Sequence, residues 1–281
     1  MTTVEKSPDS PLVTPAPRHL IVTLFAMYAR PENNWLSVAA VVRLMEDLGI
    51  DGPSVRSSIS RLKRKDILFS ARHDTQVGYS LSQPVLDTIN DGDVRIFART
   101  RAEVSDGWVL AVFSIPESER DKRHTLRTAL TRLGFGIAAP GVWVAPAVIT
   151  EEAQKMLQRS GLAQYVDLFE GRRLGDGDLA SKVASWWDLD ELSALYEAFL
   201  ERFRPVLRGV NRRTPDPCTA FAAYIPMLTT WRRLPYLDPG LPLAALPARW
   251  PGVAAEQVFA ELDSALQDLA REHVRTVVRP D

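Results

Sequence analysis

The sequence predicts an α+β protein of several domains: an N-terminal winged helix-turn-helix, a central ferredoxin-like domain and a mainly helical C-terminal domain. Two observations carry this prediction. Residues 37–82 have the order helix, glycine turn, basic helix and two β-prone runs. Residues 108–170 then alternate strand-like and helix-like runs in the order β-α-β-β-α-β. At 281 residues, the chain is too long for the winged helix alone.

Two helices and a glycine turn are predicted within residues 37–65. The first helix, over residues 37–48, ends at Gly49, because glycine tolerates the left-handed conformation that closes a helix. The second begins at Pro53, with Asp51 or Gly52 as its cap. Its apolar residues recur at i, i+4 and i+7 and so share one face: Val55, Ile59 and Leu62.

The β-prone runs at residues 67–72 and 77–81 predict a hairpin, the wing, with Arg72 and His73 near its tip. Between Gly52 and His73 there are six lysines or arginines and one acid, Asp66, whereas the whole chain has a formal net charge of −1. The positive charge is therefore concentrated in this segment. Such a cluster neutralises DNA phosphates, which gives salt-dependent affinity.

We predict two groups of DNA contacts in this segment. Side chains near the start of the second helix are expected to read base edges: Ser54, Arg56, Ser57 and Ser58. Phosphates are expected to be contacted by cations further along, with the histidine of the wing tip beside them: Arg61, Lys63, Arg64, Arg72 and His73. The alternative is that this basic amphipathic helix is a solvated face without a partner.

The rest of the chain sets the predicted domain boundaries. Residues 1–17 hold four prolines among Ser, Thr and charged residues, which predicts a disordered tail and not a secretory signal. The winged helix-turn-helix follows at residues 18–83, then a connector helix at 84–100, broken or bent at Gly92. The ferredoxin-like domain takes residues 101–172, and a helical domain for effector binding and dimerisation takes residues 173–281.

The composition excludes several classes of protein. No apolar run approaches the roughly 20 residues of a membrane span, so we expect no membrane partner and a cytoplasmic location. The single cysteine, Cys218, rules out an internal disulfide framework and a multi-cysteine metal site. The histidines have neither metal-binding nor carboxylate-paired spacings: His19, His73, His124 and His273. We therefore predict no catalytic residue, no metal and no cofactor, and a protein that is not an enzyme.

Four parts of the sequence resemble the PaaX family of bacterial repressors, and the resemblance covers about residues 20–278. They are Val-Arg-Ser-Ser-Ile-Ser-Arg-Leu at 55–62, Trp108 with Phe-Ser-Ile-Pro-Glu at 113–117, Leu-Gly-Phe-Gly at 133–136 with Pro-Gly-Val-Trp at 140–143, and the segment 231–242. The resemblance implies a GntR-like winged helix, a central domain similar to the CRISPR protein Cas2, and a helical C-terminal domain. It also implies a homodimer that represses a catabolic operon, for example of aromatic catabolism, and leaves its DNA operator when it binds an acyl-CoA such as phenylacetyl-CoA.

Two other functions stay open beside repression. A metal-dependent Cas2-like nuclease would carry an aspartate near the end of the first strand of the central domain. This chain has Ser114 there, which argues against that function. The third candidate is a non-enzymatic interaction scaffold, whose association with DNA would be weak and indifferent to sequence.

Residues 231–242 are too proline-rich for regular structure, so we expect a loop there, and its first part, residues 231–236, is the predicted effector site. A planar acyl-CoA needs an aromatic platform and guanidinium groups for its phosphates, and this part of the chain offers both. The predicted effector residues are Trp231, Arg232, Arg233 and Tyr236, together with Trp186. The alternatives are that the two arginines pair with Asp238 to hold the C-terminal domain together, and that Trp186 belongs to a core.

Overall fold

A computed structural model of the chain describes residues 15–175 and 177–279. The predicted disordered tail, residues 1–17, lies outside the described residues except for its last three, and Pro17 already begins a helix. The chain forms two compact units. The first contains the chain up to Asn90 together with Glu197–Trp231 and the part from Val253 onward; the second contains Asp91–Tyr196 and Arg232–Gly252. The domain boundaries predicted from the sequence stay predictions.

The N-terminal part of the first unit contains three helices and three short strands. They are, in chain order, α1 (Pro17–Leu24), β1 (Leu36–Ser37), α2 (Val38–Asp47), α3 (Gly52–Arg64), β2 (Leu68–His73) and β3 (Gln76–Leu81). After α1 the chain continues through a π-helical turn, Phe25–Ala29, and a 3-10 turn, Arg30–Glu32. The strands form one antiparallel sheet in the order β1-β3-β2.

The turn between α2 and α3 is fixed by the caps that end one helix and begin the other. The Gly49 amide donates to the Glu46 carbonyl at 2.8 Å, and the Ile50 amide donates to the Met45 carbonyl at 3.0 Å, which is a Schellman motif. Gly49 has a φ of 76°, in the left-handed region. At the start of α3 the Asp51 carboxylate accepts from the Ser54 amide at 2.8 Å, so Asp51 is the cap.

The remaining elements follow in chain order. They are α4 (Gln83–Phe97), β4 (Trp108–Phe113), α5 (Arg120–Arg132), β5 (Gly136–Ala139), β6 (Val142–Pro146), α6 (Thr150–Arg159), β7 (Val166–Gly171), α7 (Leu179–Trp186), α8 (Leu189–Arg212), α9 (Pro217–Trp231), α10 (Leu234–Leu237) and α11 (Pro251–Val278). The prediction that residues 231–242 are without regular structure is therefore wrong for α10, which is one helical turn within that segment.

The predicted break of the connector helix at Gly92 is also wrong, because α4 continues through that position as far as Phe97. Gly92 instead allows another residue to approach the helix closely. The hydroxyl group of Tyr236 lies so close to the helix backbone that a Cβ atom at position 92 would overlap it. Glycine is required for this close approach and does not end the helix.

The second unit contains a four-stranded antiparallel sheet in the order β5-β6-β4-β7. With α5 and α6 between the strands, the chain order is β-α-β-β-α-β, as the sequence predicts. Alternate residues of β4 and β6 contribute to the core, which also takes residues from both helices: Val109, Ala111, Leu126, Leu130, Trp143, Ala145, Ala153 and Leu157.

The C-terminal helices of the first unit pack around buried aromatic rings. The Trp231 ring stacks on Phe259, with centroids 4.5 Å apart and planes 10° apart. The Thr229 hydroxyl donates to the Thr23 hydroxyl at 2.9 Å and so joins α9 to α1. Among the helices of the described residues, none combines the length and apolar character that crossing a membrane requires.

Candidate nucleic-acid interface

Helix α3 has one side in the core of the first unit and one side in solvent. The buried side is formed by Val55, Ile59 and Leu62, each at most 4% exposed. The exposed side carries most of the predicted DNA contacts: Arg56, Ser57, Arg61, Lys63 and Arg64. Burial of the apolar side fixes the rotation of the helix about its axis, so these cations face solvent together.

Two of the predicted base-reading serines have other roles. The Ser54 hydroxyl donates to the Asp51 carboxylate at 2.8 Å and so belongs to the N-terminal cap of α3. The hydrogen bond from the Ser54 amide, followed by the one from its hydroxyl, lowers the pKa of the Asp51 carboxyl. Ser58 is 8% exposed and lies on the buried side of the helix. Arg56 and Ser57 are the predicted base readers whose side chains are exposed.

The basic end of α3 is connected to the hairpin. Lys63 donates from Nζ to the Ser70 hydroxyl of β2 at 2.8 Å, and its ammonium group lies 6.0 Å from the centroid of the Tyr79 ring in β3. Arg64 and Arg72 are exposed, on the helix and on β2 respectively. The cations of the helix and of the strand therefore belong to neighbouring, bonded elements.

The hairpin closes where the sequence predicts. His73 of β2 pairs with Gln76 of β3, so that the turn consists of Asp74 and Thr75, with Asp74 at a φ of 52°. Arg72 and His73 are both exposed beside this turn. The His73 ring lies 5.6 Å from the Trp35 ring, and its Nδ1 is 3.4 Å from an Asp74 carboxylate oxygen.

Two residues that the sequence reasoning missed, Asn34 and Trp35, hold this hairpin in place. Asn34 donates from Nδ2 to the Leu81 carbonyl at 2.8 Å and accepts from the Leu81 amide at 3.2 Å. The indole of Trp35 lies against the backbone at Gly78, where any side chain would collide with the ring. The glycine inside a strand was the available signal, because such a glycine often marks a close approach.

The predicted effector residues are divided between the two units. Trp231 belongs to the first unit, where its ring is 3% exposed in an aromatic core. Arg232, Arg233, Tyr236 and Trp186 belong to the second unit. Trp186 is half-buried and forms an aromatic cluster with neighbouring indoles: its ring centroid is 5.6 Å from that of Trp108 and 6.1 Å from that of Trp187.

Arginines from the end of α4 and the following segment hold the segment after Trp231. Arg95 donates from Nε to the Pro235 carbonyl at 2.9 Å, and its guanidinium lies 5.0 Å from the Tyr236 ring centroid. Asp238, which is fully buried, lies 3.6 Å from Arg99 and 3.4 Å from Arg101. Asp238 thus pairs with Arg99 and Arg101, whereas the alternative from the sequence named Arg232 and Arg233 as its partners.

The position of the nuclease aspartate is occupied by an exposed serine. Ser114 directly follows β4. Within residues 15–175 and 177–279, no group of three metal-binding side chains converges around it. Ser114 supplies no carboxylate at this position, so the nuclease alternative is not favoured.

These observations define a multidomain α+β protein with a basic helix and hairpin in one unit and a β-α-β-β-α-β sheet in the other. Three family profiles match it: "PaaX-like protein" at residues 16–85, "PaaX protein central Cas2-like domain" at 101–183, and "PaaX-like protein C-terminal domain" at 187–276. The "Transcriptional repressor PaaX" of Escherichia coli (strain K12) is 30% identical over 249 residues, covering 85% of this chain and 77% of that protein. The chain belongs to the PaaX family.

A solved structure is similar over most of its length. It is the "Uncharacterized protein Rv0674 from Mycobacterium tuberculosis", with a TM-score of 0.54 and 24% sequence identity. The similarity covers 90% of this chain and 97% of that one, and it shows a shared fold. The predicted family, the Cas2-like central domain and the helical C-terminal region are confirmed.

Proposed function

We propose that this protein is a transcriptional repressor that binds an operator through a winged helix-turn-helix, with α3 in the major groove and the β2–β3 hairpin as the wing. The observation that carries the proposal is the exposed row of cations on α3, whose opposite side is anchored in the core. The Escherichia coli relative, a repressor by name, supports the same function. A helix of this kind reads base edges with a few side chains and contacts phosphates with the rest.

The side-chain environments refine the proposed contacts. Arg56 and Ser57 are assigned to base edges because they are exposed near the start of α3. Ser54 and Ser58 are left out, since the Ser54 hydroxyl is bonded to the capping residue Asp51 and Ser58 is buried. Phosphates are assigned to the cations of the helix end and of the wing, with the wing-tip histidine beside them: Arg61, Lys63, Arg64, Arg72 and His73.

The proposed regulation follows the family resemblance. A homodimer sets two recognition helices about 34 Å apart, in successive major grooves of a palindrome-like operator. An acyl-CoA thioester such as phenylacetyl-CoA releases the dimer, so that a catabolic operon is transcribed. A ligand causes release only by binding the DNA-free conformation more tightly than the bound one. The proposed effector residues are Arg232, Arg233 and Tyr236, with Trp186; Trp231 is left out because its ring is buried.

The DNA proposal is tested with an operator selected by the full-length protein from random duplexes. Arg56→Ala should weaken binding to that operator by about 1–3 kcal/mol, because it removes a base contact, and change binding to a scrambled duplex little. Arg64→Ala should weaken binding to the operator and to the scrambled duplex alike. It should also reduce the slope of log K against log salt by about 0.9, the value for the loss of one phosphate contact. Fluorescence anisotropy at several salt concentrations measures both quantities.

Arg127→Ala is the matched control, because Arg127 is exposed on α5 in the second unit. It should leave the affinity for both duplexes and the salt slope unchanged. A wild-type protein that binds all duplexes equally would support the scaffold function instead. A double variant, Arg56→Ala with Arg61→Ala, that binds the operator like the wild type would reject α3 as the helix that contacts DNA.

A further inference from the structure

Three side chains that are distant in the sequence converge in the first unit. Asp47 is the last residue of α2, Cys218 lies in the first turn of α9, and His273 is in the C-terminal part of α11. One carboxylate oxygen, the sulfur and one imidazole nitrogen all lie within 4.8 Å of one another. His273 Nε2 is 2.8 Å from an Asp47 carboxylate oxygen. No local spacing in the sequence could have indicated this group.

Zn²⁺ binds all three of these types of donor atom. Zinc binds thiolate sulfur, imidazole nitrogen and carboxylate oxygen at about 2.0–2.3 Å, usually with tetrahedral geometry. Donors of a tetrahedral site with such bonds are about 3.4–3.7 Å apart. The present separations, from 2.8 Å up to at most 4.8 Å, bracket that range. The three donors are therefore at separations close to those of one tetrahedral site.

The surroundings favour these residues as ligands. The side chains of His273 and Asp47 are 13% and 15% exposed, so they are sheltered but still accessible from solvent. The ring centroid of His273 lies 5.2 Å from that of Phe221, which restricts its orientation. Desolvation, and then the negative charges of Asp47 and Asp216, raise the pKa of the Cys218 thiol, and a bound cation reverses this effect because it binds the thiolate.

One cation competes for the carboxylate without blocking it. Arg43 Nε lies 3.7 Å from Asp47 Oδ1, whereas the oxygen that contacts His273 is Oδ2. The Arg43 side chain is 69% exposed. Asp47 can thus keep its contact with Arg43 through Oδ1 while Oδ2 binds an ion. Metal-binding carboxylates commonly have a second hydrogen-bonding partner of this kind.

We propose that Asp47, Cys218 and His273 form a site for one Zn²⁺ ion, with the fourth position open to water. The ion joins the C-terminal end of α2 to α9 and α11. It therefore holds the end of the helix that precedes the recognition helix, and it stabilises the unit that carries the proposed DNA contacts. This site is independent of the effector residues in the second unit.

Cobalt(II) provides a direct test in the full-length protein after treatment with a chelator. Cys218 is the only cysteine of the chain, so a thiolate-to-cobalt charge-transfer absorption can come from no other residue. We expect this band to rise to one equivalent of Co²⁺ per chain and to disappear when Zn²⁺ displaces the cobalt. The absence of the band, or saturation at one ion per two chains, would overturn the proposal.

Variants give a second, independent measurement. Each of three variants should weaken Zn²⁺ binding by on the order of tenfold or more: Cys218→Ser, His273→Ala and Asp47→Asn. Even mutation of a residue that only hydrogen-bonds to a metal ligand lowers metal affinity about 10–100-fold. Competition with a chromophoric chelator measures the affinity, and circular dichroism checks that each variant is folded. His124→Ala, an exposed histidine on α5, is the control and should bind like the wild type. Unchanged affinity in folded Cys218→Ser and His273→Ala would also reject the site.

Discussion

Asp238 is a fully buried carboxylate of the second unit. It accepts from the Tyr196 hydroxyl at 2.8 Å and from the Leu241 amide at 3.1 Å, and lies between Arg99 and Arg101. Burial alone would raise the pKa of this carboxyl, but the two guanidinium groups and the hydrogen bonds outweigh burial and lower it below 3.8. Asp238 is therefore ionised at neutral pH and compensates two largely buried cations.

Asp238→Asn should be strongly destabilising at pH 7. The change leaves Arg99 and Arg101, which are 9% and 13% exposed, without their counter-charge. Breaking a buried ion pair by removing one partner costs about 3–5 kcal/mol. Urea unfolding, followed by circular dichroism, measures the difference. Asp167→Asn, at an exposed position of β7, is the control and should stay within about 0.5 kcal/mol of the wild type.

The same pair of proteins gives a pH test with a defined sign. Because the pKa of Asp238 is lower in the folded than in the unfolded chain, its stabilisation is present above about pH 3.8 and is lost as the pH falls through the folded value. The stability difference between the wild type and Asp238→Asn should therefore shrink below pH 3.8. A difference that stays constant over that range would contradict this account.

Individual residues also explain which predicted contacts changed. Ser58 follows Val55 by three positions, so the helical period that buries Val55 also buries Ser58. Its polarity suggested a DNA contact, but the apolar repeat of the helix already predicts that Ser58 lies on the buried side. Ser54 is similar, because recognising Asp51 as a cap implies that the residue three positions later is bonded to it.

At the scale of elements, the turn between α2 and α3 depends on the left-handed conformation of Gly49. A Cβ atom at position 49 would meet no atom within 4 Å, so substitution there has no steric cost beyond the backbone. Gly209, inside α8, also has open space around it, but its φ is not positive. The two glycines therefore separate the effect of backbone conformation from that of packing.

Gly49→Ala should destabilise the protein by about 1 kcal/mol, because an L-residue in the left-handed region costs roughly 1–2 kcal/mol. Gly209→Ala should stabilise it by about 0.5–1 kcal/mol, as alanine replaces glycine within a helix. Chemical denaturation of both variants beside the wild type measures the two shifts. Shifts of the same sign would contradict the assignment of the α2–α3 turn.

The elements of the proposed winged helix could be predicted because their signals are local. A glycine, a capping aspartate, a proline and an apolar repeat all lie within about 20 residues. Gly92 shows where this fails: locally it resembles a helix breaker, but its role is set by Tyr236, far along the chain. The contacts of Trp35 with the hairpin and the group around Cys218 are likewise long-range, so no window of sequence contained them.

At the scale of the whole molecule, the proposed effector is tested on the operator complex. Phenylacetyl-CoA and other acyl-CoA thioesters should release the full-length protein at concentrations where the matching free acids do not, because only the thioesters carry phosphates for the arginines. Arg233→Glu should raise the concentration needed, since the exposed guanidinium is replaced by a repelling charge. Anisotropy of labelled operator measures the release.

Arg120→Glu provides the control for the charge change, at an exposed position of α5. It should respond to the thioesters like the wild type. The same thioesters should also raise the melting temperature of the DNA-free protein, as any ligand of the folded state does. No release and no melting shift with any thioester would reject this class of effector, while leaving the DNA proposal intact.

The first unit is built from three separate segments of the chain, which has a consequence for how such proteins evolve. Its N-terminal helices are bonded to two later helices: Thr229 of α9 to Thr23, and His273 of α11 to Asp47. A gene segment encoding residues 1–83 alone would lack the partners of those side chains. We therefore expect the proposed DNA-binding segment to be less stable when it is fused to another sensor without α9 and α11, and new specificities in this architecture to arise by substitution within the intact chain.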